Sequence, residues 1–531
     1  MDVHTIPVER HATVVSVLRE AAQRNADVEA FVEPAHTGGP ARRSLTFAEW
    51  DRAADGVAGL LADRGVAKGD VVCLMLPSSI DYAILYAALL RLGAITSGIN
   101  PRMGAREVAS IVERAAPVLV VHDPDGPGPQ TAGVPLLSRT EAIAAASGAA
   151  PARWPELDRH DPVAVVWTSG TTGLPKGAVF DHATLAAVAG GTDVLSQAGD
   201  RRLSPLPFAH VAYMTRAWDE IAHGVTTVIT PTPWRADQTI QILADEAITV
   251  AQGVPTQWAL MLACPELDQV DLSALRVAGT GAARMPAAQV AELRRRLGVP
   301  VVVRYTSTES SLGTGTTFDS SDEEVATTVG RPVPGVELRI TDDEGAPVAS
   351  GTVGRVLLRS GAAMLGYWGA GPGRGKSATE LLDQSATAAV RDAEGWITTG
   401  DFGLVTEQGN LQLVGRAHER YIRGGYNVYP AEVEGVLADH PSVGRAAVIG
   451  MPDDVLGEIG VAVVVAGPSA PDLPTLRAHC AERLSDYKAP DALVIVDELP
   501  LTPMMKVDPT ALAALAQSGV DERLAARERN R

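Results

Sequence analysis

The sequence predicts an α/β protein: a large N-terminal domain of parallel-rich sheets covered by helices, a β-rich subdomain on it, and a small α+β C-terminal domain. Three observations predict this. Strand-like and helix-like patterns alternate through the first part of the chain, as in a parallel sheet covered on both faces. From Val329 the texture becomes rich in strands and turns. After Gly415 a compact unit follows that is long enough to fold as a small domain.

Taken in order, Phe47 to Asp63 has the spacing of an amphipathic helix, Val71 to Leu76 is a short apolar strand, and Ile80 to Leu92 is a helix. The apolar run Tyr82 to Ile95 contains Arg91 and is too short to cross a bilayer, so it is expected as a buried helix, with no transmembrane segment. Ala105 to Ala115 reads as a helix and Val118 to Val121 as a strand; the rhythm returns at Thr227 to Ile229 and Leu275 to Ala278. Val336 to Ile340 and Val353 to Leu358 are strands of the β-rich part. Gly369 to Ser377 ends in Gly-Lys-Ser, but Ala370 stands where a P-loop needs glycine, which leaves a flexible surface loop. Pro430 opens a helix that runs to Leu437, proline being tolerated in a first turn. Strands at Ala446 to Ile449, Val461 to Val465 and Leu493 to Val496 complete the C-terminal unit, and the charge-dense tail Glu522 to Arg531 is expected to be solvated or frayed. The domains are placed at 1–415 and 416–531.

A chain of 531 residues is too long for one core. Its net charge of −19 argues against nucleic acid as a partner, and it obliges any anion site to build its positive potential locally. Cys73, Cys264 and Cys480 are isolated and in no metal-ligand spacing, which fits a reduced, cytoplasmic protein. The N-terminus lacks the basic and apolar regions of a secretory signal.

The chemistry is concentrated between Val165 and Gly177. An apolar strand runs into a loop containing Thr168, Ser169, Gly170, Thr171, Thr172, Gly173 and Lys176. Glycines let successive N–H groups turn toward an anion, hydroxyls add donors, and the lysine adds a mobile charge. Such a set is what a triphosphate requires, although the spacing is not that of the common P-loop.

This loop resembles the phosphate loop of the adenylate-forming superfamily, which includes acyl-CoA synthetases, luciferases and peptide-synthetase adenylation domains. Four further segments resemble that family's motifs, in its order: Arg304 to Glu309, Thr399-Gly400-Asp401, Gly415 to Pro430, and Leu501 to Asp508. The resemblance implies ATP and Mg2+ as cofactors and CoA, or a carrier-protein pantetheine, as co-substrate for a small-molecule acid. It implies that residues 168–173 and Lys176 hold phosphates, and that Tyr305 faces adenine opposite Gly281, Ala282 and Ala283. It further implies that Thr308 donates to the α-phosphate, Glu309 binds the metal, Asp401 accepts from the ribose hydroxyls, and Arg416 reaches ribose or phosphate. Lys506 would be the catalytic lysine of a small mobile domain. Arg423, Gly424 and Gly425 would line the thiol tunnel. Pro207 to Val211 resembles the family's Pro-x-x-His segment, so His210 and Phe208 are placed at the acid pocket, with Tyr213, Trp258 and Thr280 as further lining.

Three positions depart from the family pattern: His418 in the hinge, Thr306 beside Tyr305, and Arg284 after the Gly-Ala-Ala segment. None removes a required charge. The whole looks like a bacterial fatty-acyl-CoA ligase. The motifs leave open a carrier protein or an amine as acceptor, and nitrite as the activated species in a diazotising reaction.

Overall fold

The computed structural model describes residues 3–36, 39–128, 131, 133–168, 175–416, 419–423, 426–502 and 506–529. Four sheets organise these residues. A seven-stranded sheet runs Gly366–Tyr367, Lys176–Asp181, Pro162–Thr168, Ile95–Ile99, Val71–Met75, Leu119–His122, Leu136–Ser138. Its strands are parallel except at the hairpin Pro162–Thr168/Lys176–Asp181 and at the added strand Gly366–Tyr367. The central strands Val71–Met75 and Ile95–Ile99 are buried at every residue, as expected when helices cover both faces.

The helix Phe47–Asp63 starts where the sequence places it, because Thr46 and Glu49 form a capping box. Helix Ile80–Arg91 is buried along its whole length, so the apolar run is core. The helix ends at Arg91 and Ile95 already opens the next strand, so the run Tyr82 to Ile95 is not one helix. The Arg91 guanidinium is paired with Asp51 and Asp55 of helix Phe47–Asp63 and donates to the Asp51 carbonyl at 2.7 Å.

A nine-stranded sheet packs beside the first, in the order Arg331–Pro332, Thr314–Gly315, Val301–Tyr305, Val277–Gly281, Val250–Gln252, Arg201–Ser204, Thr226–Ile229, Glu29–Glu33, Arg43–Thr46. It is parallel from Val301–Tyr305 to Glu29–Glu33 and antiparallel at both margins. The β-rich part is a four-stranded antiparallel sheet of Val336–Thr341, Gly354–Ser360, Ile397–Val405 and Leu411–Arg416. The last sheet joins Tyr426–Val428, Tyr421–Arg423, Gly457–Ala466, Val443–Asp453 and Ala492–Val496, with helices Pro430–Ala438, Leu473–Ala481 and Pro509–Arg529 beside it.

Two further expectations are corrected. The tail is not frayed from Glu522: helix Pro509–Arg529 continues through it, its inner face held by Leu512, Ala516 and Val520 against the C-terminal sheet. The loop Gly369 to Ser377 is tied down, because the Arg374 guanidinium grips buried Asp70 and the Gly65 carbonyl at 2.8 Å, while Gly371 N–H reaches the Arg114 carbonyl at 3.2 Å.

Replacing Arg91 by Met removes the buried one of the two arginines that Asp51 and Asp55 share. It is expected to lower stability by about 3 kcal/mol, whereas Arg19→Met, whose partly exposed side chain pairs with the same acids, costs about 1 kcal/mol or less. Urea unfolding midpoints of the two variants check this.

Candidate active site

The glycine-rich loop connects two antiparallel strands in which Thr168 faces Lys176, with the Thr168 hydroxyl donating to the Lys176 carbonyl at 3.3 Å. It is thus a hairpin connection and does not run into a helix as a P-loop does. Ser169, Gly170, Thr171, Thr172 and Gly173 lie outside the described residues. At its far end the Lys176 ammonium sits 5.3 Å from the centre of the Tyr367 ring. The Tyr367 hydroxyl donates to Glu309 Oε1 at 2.7 Å. Tyr367 therefore links the lysine of the loop to the carboxylate that follows strand Val301–Tyr305.

That strand ends at Tyr305, whose hydroxyl bonds Asp401 Oδ2. Asp401 lies on Ile397–Val405 directly across from Arg416, and Arg416 Nε donates to Asp401 Oδ1 at 3.2 Å. Burial and the neighbouring Asp401 charge push the Tyr305 phenol well above its ordinary value, so it stays a donor. A carboxylate offers about four acceptor positions, so Asp401 retains capacity beyond these two bonds. Opposite Tyr305, Gly281 pairs with Arg304, and a Cβ on it would lie 2.6 Å from the Arg304 carbonyl. Ala282 and Ser311 both adopt left-handed φ, +67° and +56°, a strain that recurs at binding sites. Thr308 and Glu309 occupy the turn between Tyr305 and Ser311.

His210 caps the short helix Val211–Met214, its Nδ1 accepting from Ala212 N–H at 3.3 Å. That assigns the proton of the neutral ring to Nε2. Burial, with the Lys506 charge added, lowers its pKa to about 4. The Lys506 ammonium is itself lowered, first by its surroundings and then by Arg416, with Glu419 opposing. Lys506 thus keeps solvent contact while lying within electrostatic reach of His210 and Arg416. Its loop is closed by Thr502 N–H to the Lys506 carbonyl at 2.7 Å; residues 503–505 lie outside the described set.

Arg284 and Arg445 each carry a contact between the two domains. A Cβ on Gly435 would come within 1.7 Å of Arg284 Nη1, and Arg284 Nε donates to the Ala326 carbonyl at 3.0 Å. The unusual Arg284 thus rests on a glycine of helix Pro430–Ala438. Arg445 Nη2 reaches Thr256 Oγ1 at 3.3 Å.

The pocket candidates divide. Phe208 and Tyr213 stack face to face, ring centres 3.6 Å apart, inside the N-terminal core. Trp258 is buried on the other side of the nine-stranded sheet and donates to the Gly279 carbonyl at 3.1 Å. Thr280 is buried with its hydroxyl unpartnered among the described residues. Arg423 forms a two-pronged ion pair with Asp491 at 2.6 and 2.8 Å, inside the C-terminal domain; Gly424 and Gly425 lie outside the described residues, as does His418.

With this arrangement in hand, comparison with known proteins is direct. The family model described as AMP-binding enzyme matches residues 18–368, and that of the AMP-binding enzyme C-terminal domain matches residues 432–506. The chain belongs to the AMP-binding enzyme family. It is 31% identical over 514 residues to the long-chain-fatty-acid–CoA ligase FadD13 of Mycobacterium tuberculosis, which covers 93% of this chain and 97% of that one. Among solved structures it is similar to ATP-bound MatB from Rhodopseudomonas palustris, with a TM-score of 0.81, 27% identity and coverage of 94% and 98%. It is also similar to the amide bond synthetase McbA from Marinactinospora thermotolerans, with a TM-score of 0.82, 28% identity and coverage of 94% and 99%.

For this AMP-binding enzyme, no cluster of three or more His, Cys, Asp or Glu side chains among the described residues gathers to hold a metal. Glu309 alone still fits magnesium, which takes one or two carboxylates and fills its shell with phosphate oxygens and water. Sequence reasoning missed Tyr367, which no motif marked, and the contact between Arg284 and Gly435, which joins residues far apart in the chain.

Removing the Lys506 charge favours the imidazolium form of a nearby ring. Lys506→Met is expected to raise the His210 pKa from about 4 toward, but not to, the ordinary histidine value, since burial is the larger cause. An NMR pH titration of the histidine ring signals measures this; an unmoved pKa would show that the lysine stands elsewhere.

Proposed function

We propose that this protein is a cytoplasmic, ATP-dependent acid–CoA ligase that forms an acyl adenylate and then a thioester. One observation carries the reading. Two linked sets, Lys176–Tyr367–Glu309 and Tyr305–Asp401–Arg416, are joined by the short turn from Tyr305 to Glu309, and the second set reaches Lys506 and His210 through electrostatic influence. Cations and donors from distant parts of the chain are thus brought to the two ends of that turn. The naming of FadD13 as a CoA ligase supports the same assignment.

In this reading a carboxylate oxygen of the acid attacks the α-phosphorus and pyrophosphate departs. Both partners are anions, so catalysis is chiefly alignment and charge compensation. Thr168, the loop 169–173 and Lys176 hold the β- and γ-phosphates, and Thr308 donates to the α-phosphate. Glu309, oriented by Tyr367, holds magnesium, which supplies charge neutralisation of the phosphates. Tyr305 offers its ring to adenine against Gly281, Ala282 and Ala283. Asp401 accepts from the ribose hydroxyls on its remaining lone pairs, beside Arg416. Lys506 bridges acid and α-phosphate, and neutral His210 flanks the acid without adding charge. The division at 415/416 is proposed as the domain boundary: Leu411–Arg416 belongs to one sheet and Tyr421–Arg423 to another. Rotation about it would withdraw Lys506 and bring residues 423–425 toward the site for the CoA thiol. The likeness to McbA favours an amine as the second candidate acceptor.

Pyrophosphate release across a panel of acids and nitrite, with and without CoA, a carrier protein or amines, tests the assignment. A thioester product supports it; an amide, or consumption of ATP with nitrite alone, replaces it.

Lys506→Ala is expected to cut adenylation by ~10²–10³ while thioester formation from supplied acyl adenylate stays near wild type. Equal loss in both half-reactions would refute the two-position role of the small domain.

Asp401→Ala is expected to raise the KM for ATP at least ~10-fold, since each charge-assisted bond is worth roughly 1.5–3 kcal/mol. Tyr305→Phe removes only the hydroxyl that Asp401 holds and should change that KM far less. Equal effects would mean that Asp401 acts by positioning Tyr305.

A further inference from the structure

Arg114 lies in the last turn of helix Ala105–Ala115, which Ala116 ends in a left-handed conformation, φ +44°. An arginine there ordinarily meets the last carbonyls of its own helix. This one reaches away from it. Nη1 donates to the Pro175 carbonyl at 2.8 Å and Nη2 to the Trp368 carbonyl at 3.4 Å. The guanidinium carbon stands 5.9 Å from the centre of the Trp167 ring. The contact runs both ways: the Arg114 carbonyl, left over at a helix end, accepts from Trp368 Nε1 at 3.0 Å and from Gly371 N–H at 3.2 Å. No carboxylate pairs with Arg114 among the described residues, so its side chain is committed to the two carbonyls.

Those carbonyls belong to neighbouring strands with functional side chains. Pro175 precedes Lys176 of strand Lys176–Asp181, and Trp368 follows Tyr367 of strand Gly366–Tyr367. The ladder pairs Gly366 with Val179 and Tyr367 with Ala178, and Trp368 N–H adds a bond to the Gly177 carbonyl at 2.6 Å. Past that bond the ladder stops, and the Arg114 fork joins the two ends instead.

Their alignment matters at Glu309. Residues 364–367 hold Glu309 twice: Met364 N–H donates to its carbonyl at 2.8 Å, and the Tyr367 hydroxyl to its Oε1 at 2.7 Å. Lys176 Nζ stands 5.3 Å from the centre of the same tyrosine ring. Tyr367 and Trp368 are both buried, so a shift of their strand passes to the carboxylate.

We propose that Arg114 is a positioning residue for adenylation. By bridging the Pro175 and Trp368 carbonyls it sets where Lys176 and the Tyr367 ring stand, and through the Tyr367 hydroxyl it fixes the Glu309 carboxylate that would hold magnesium. This rests on the adenylation reading above and adds to it a residue that acts only through others.

The test measures ATP binding by calorimetry, without acid, once with Mg2+ and once with EDTA. The ratio of the two dissociation constants is the gain from the metal. Tyr367→Phe, which removes one hydroxyl, should cut that gain ~10-fold or more, as loss of a partner of a metal ligand does. Arg114→Met, one contact further away, should cut it ~3–30-fold. Arg114→Lys, which keeps a single donor, should recover part of this loss. Combining Arg114→Met with Tyr367→Phe should lose little more than Tyr367→Phe alone, because both act on Glu309 through one hydroxyl. Thermal unfolding checks that the variants fold. A wild-type gain in Arg114→Met overturns the inference and leaves Arg114 a merely structural role. Losses that add in full in the double variant overturn it as well. Should Arg114→Met not fold, a wild-type gain in Arg114→Lys overturns it. A wild type that releases no pyrophosphate with any acid, from enzyme that still binds ATP, overturns the adenylation reading itself.

Discussion

The carboxylate of Asp401 is the point at which separate parts of this protein are made into one site. It receives Tyr305 from the nine-stranded sheet and Arg416 from the neighbouring strand of the four-stranded sheet. Because Asp401 is buried, loss of either bond would leave a charge poorly solvated, so both segments are held to it. Arg416 is in turn the last residue of strand Leu411–Arg416, so the same carboxylate holds the end of that strand.

The electrostatics of the cleft run against those of the molecule. A chain of net charge −19 brings Arg416 and Lys506 into electrostatic reach of one another and of His210, which burial and Lys506 keep neutral. Such a concentration is stable only with anions close by. Asp401 provides one permanently; phosphates and the substrate acid would provide the others. Neutral His210 lets the ring lie against a carboxylate and Lys506 without adding a further repulsive charge.

Contact between the domains is geometrically specific. Arg284 rests where Gly435 has no side chain, and Tyr429 packs over Gly415, whose Cβ would lie 2.8 Å from the tyrosine Cβ. Contacts that depend on the absence of a side chain fix one arrangement closely, because any added side chain would clash.

The helix bounds Phe47–Asp63 and Ala105–Ala115, the buried character of Ile80–Arg91, the parallel rhythm and the order of the motifs were all legible in the sequence. They follow from local periodicity, capping residues and loop composition, which act over a few residues. The helical continuation of the tail was not legible, because the helix is anchored before it, by Leu512, Ala516 and Val520 on the C-terminal sheet, and the charged stretch carries no apolar spacing of its own. Nor was the seating of Arg374 on Asp70, which turns a glycine-rich loop into a fixed one. The sequence by itself determined the fold class and the identity of the charged residues. Only the tertiary structure decided which of them meet: Tyr305 with Asp401, Tyr367 with Glu309, and Arg284 with Gly435. Hydrogen bonds and ion pairs are decided over a few ångströms, and separation along the chain does not encode those distances until the sheets fix their register.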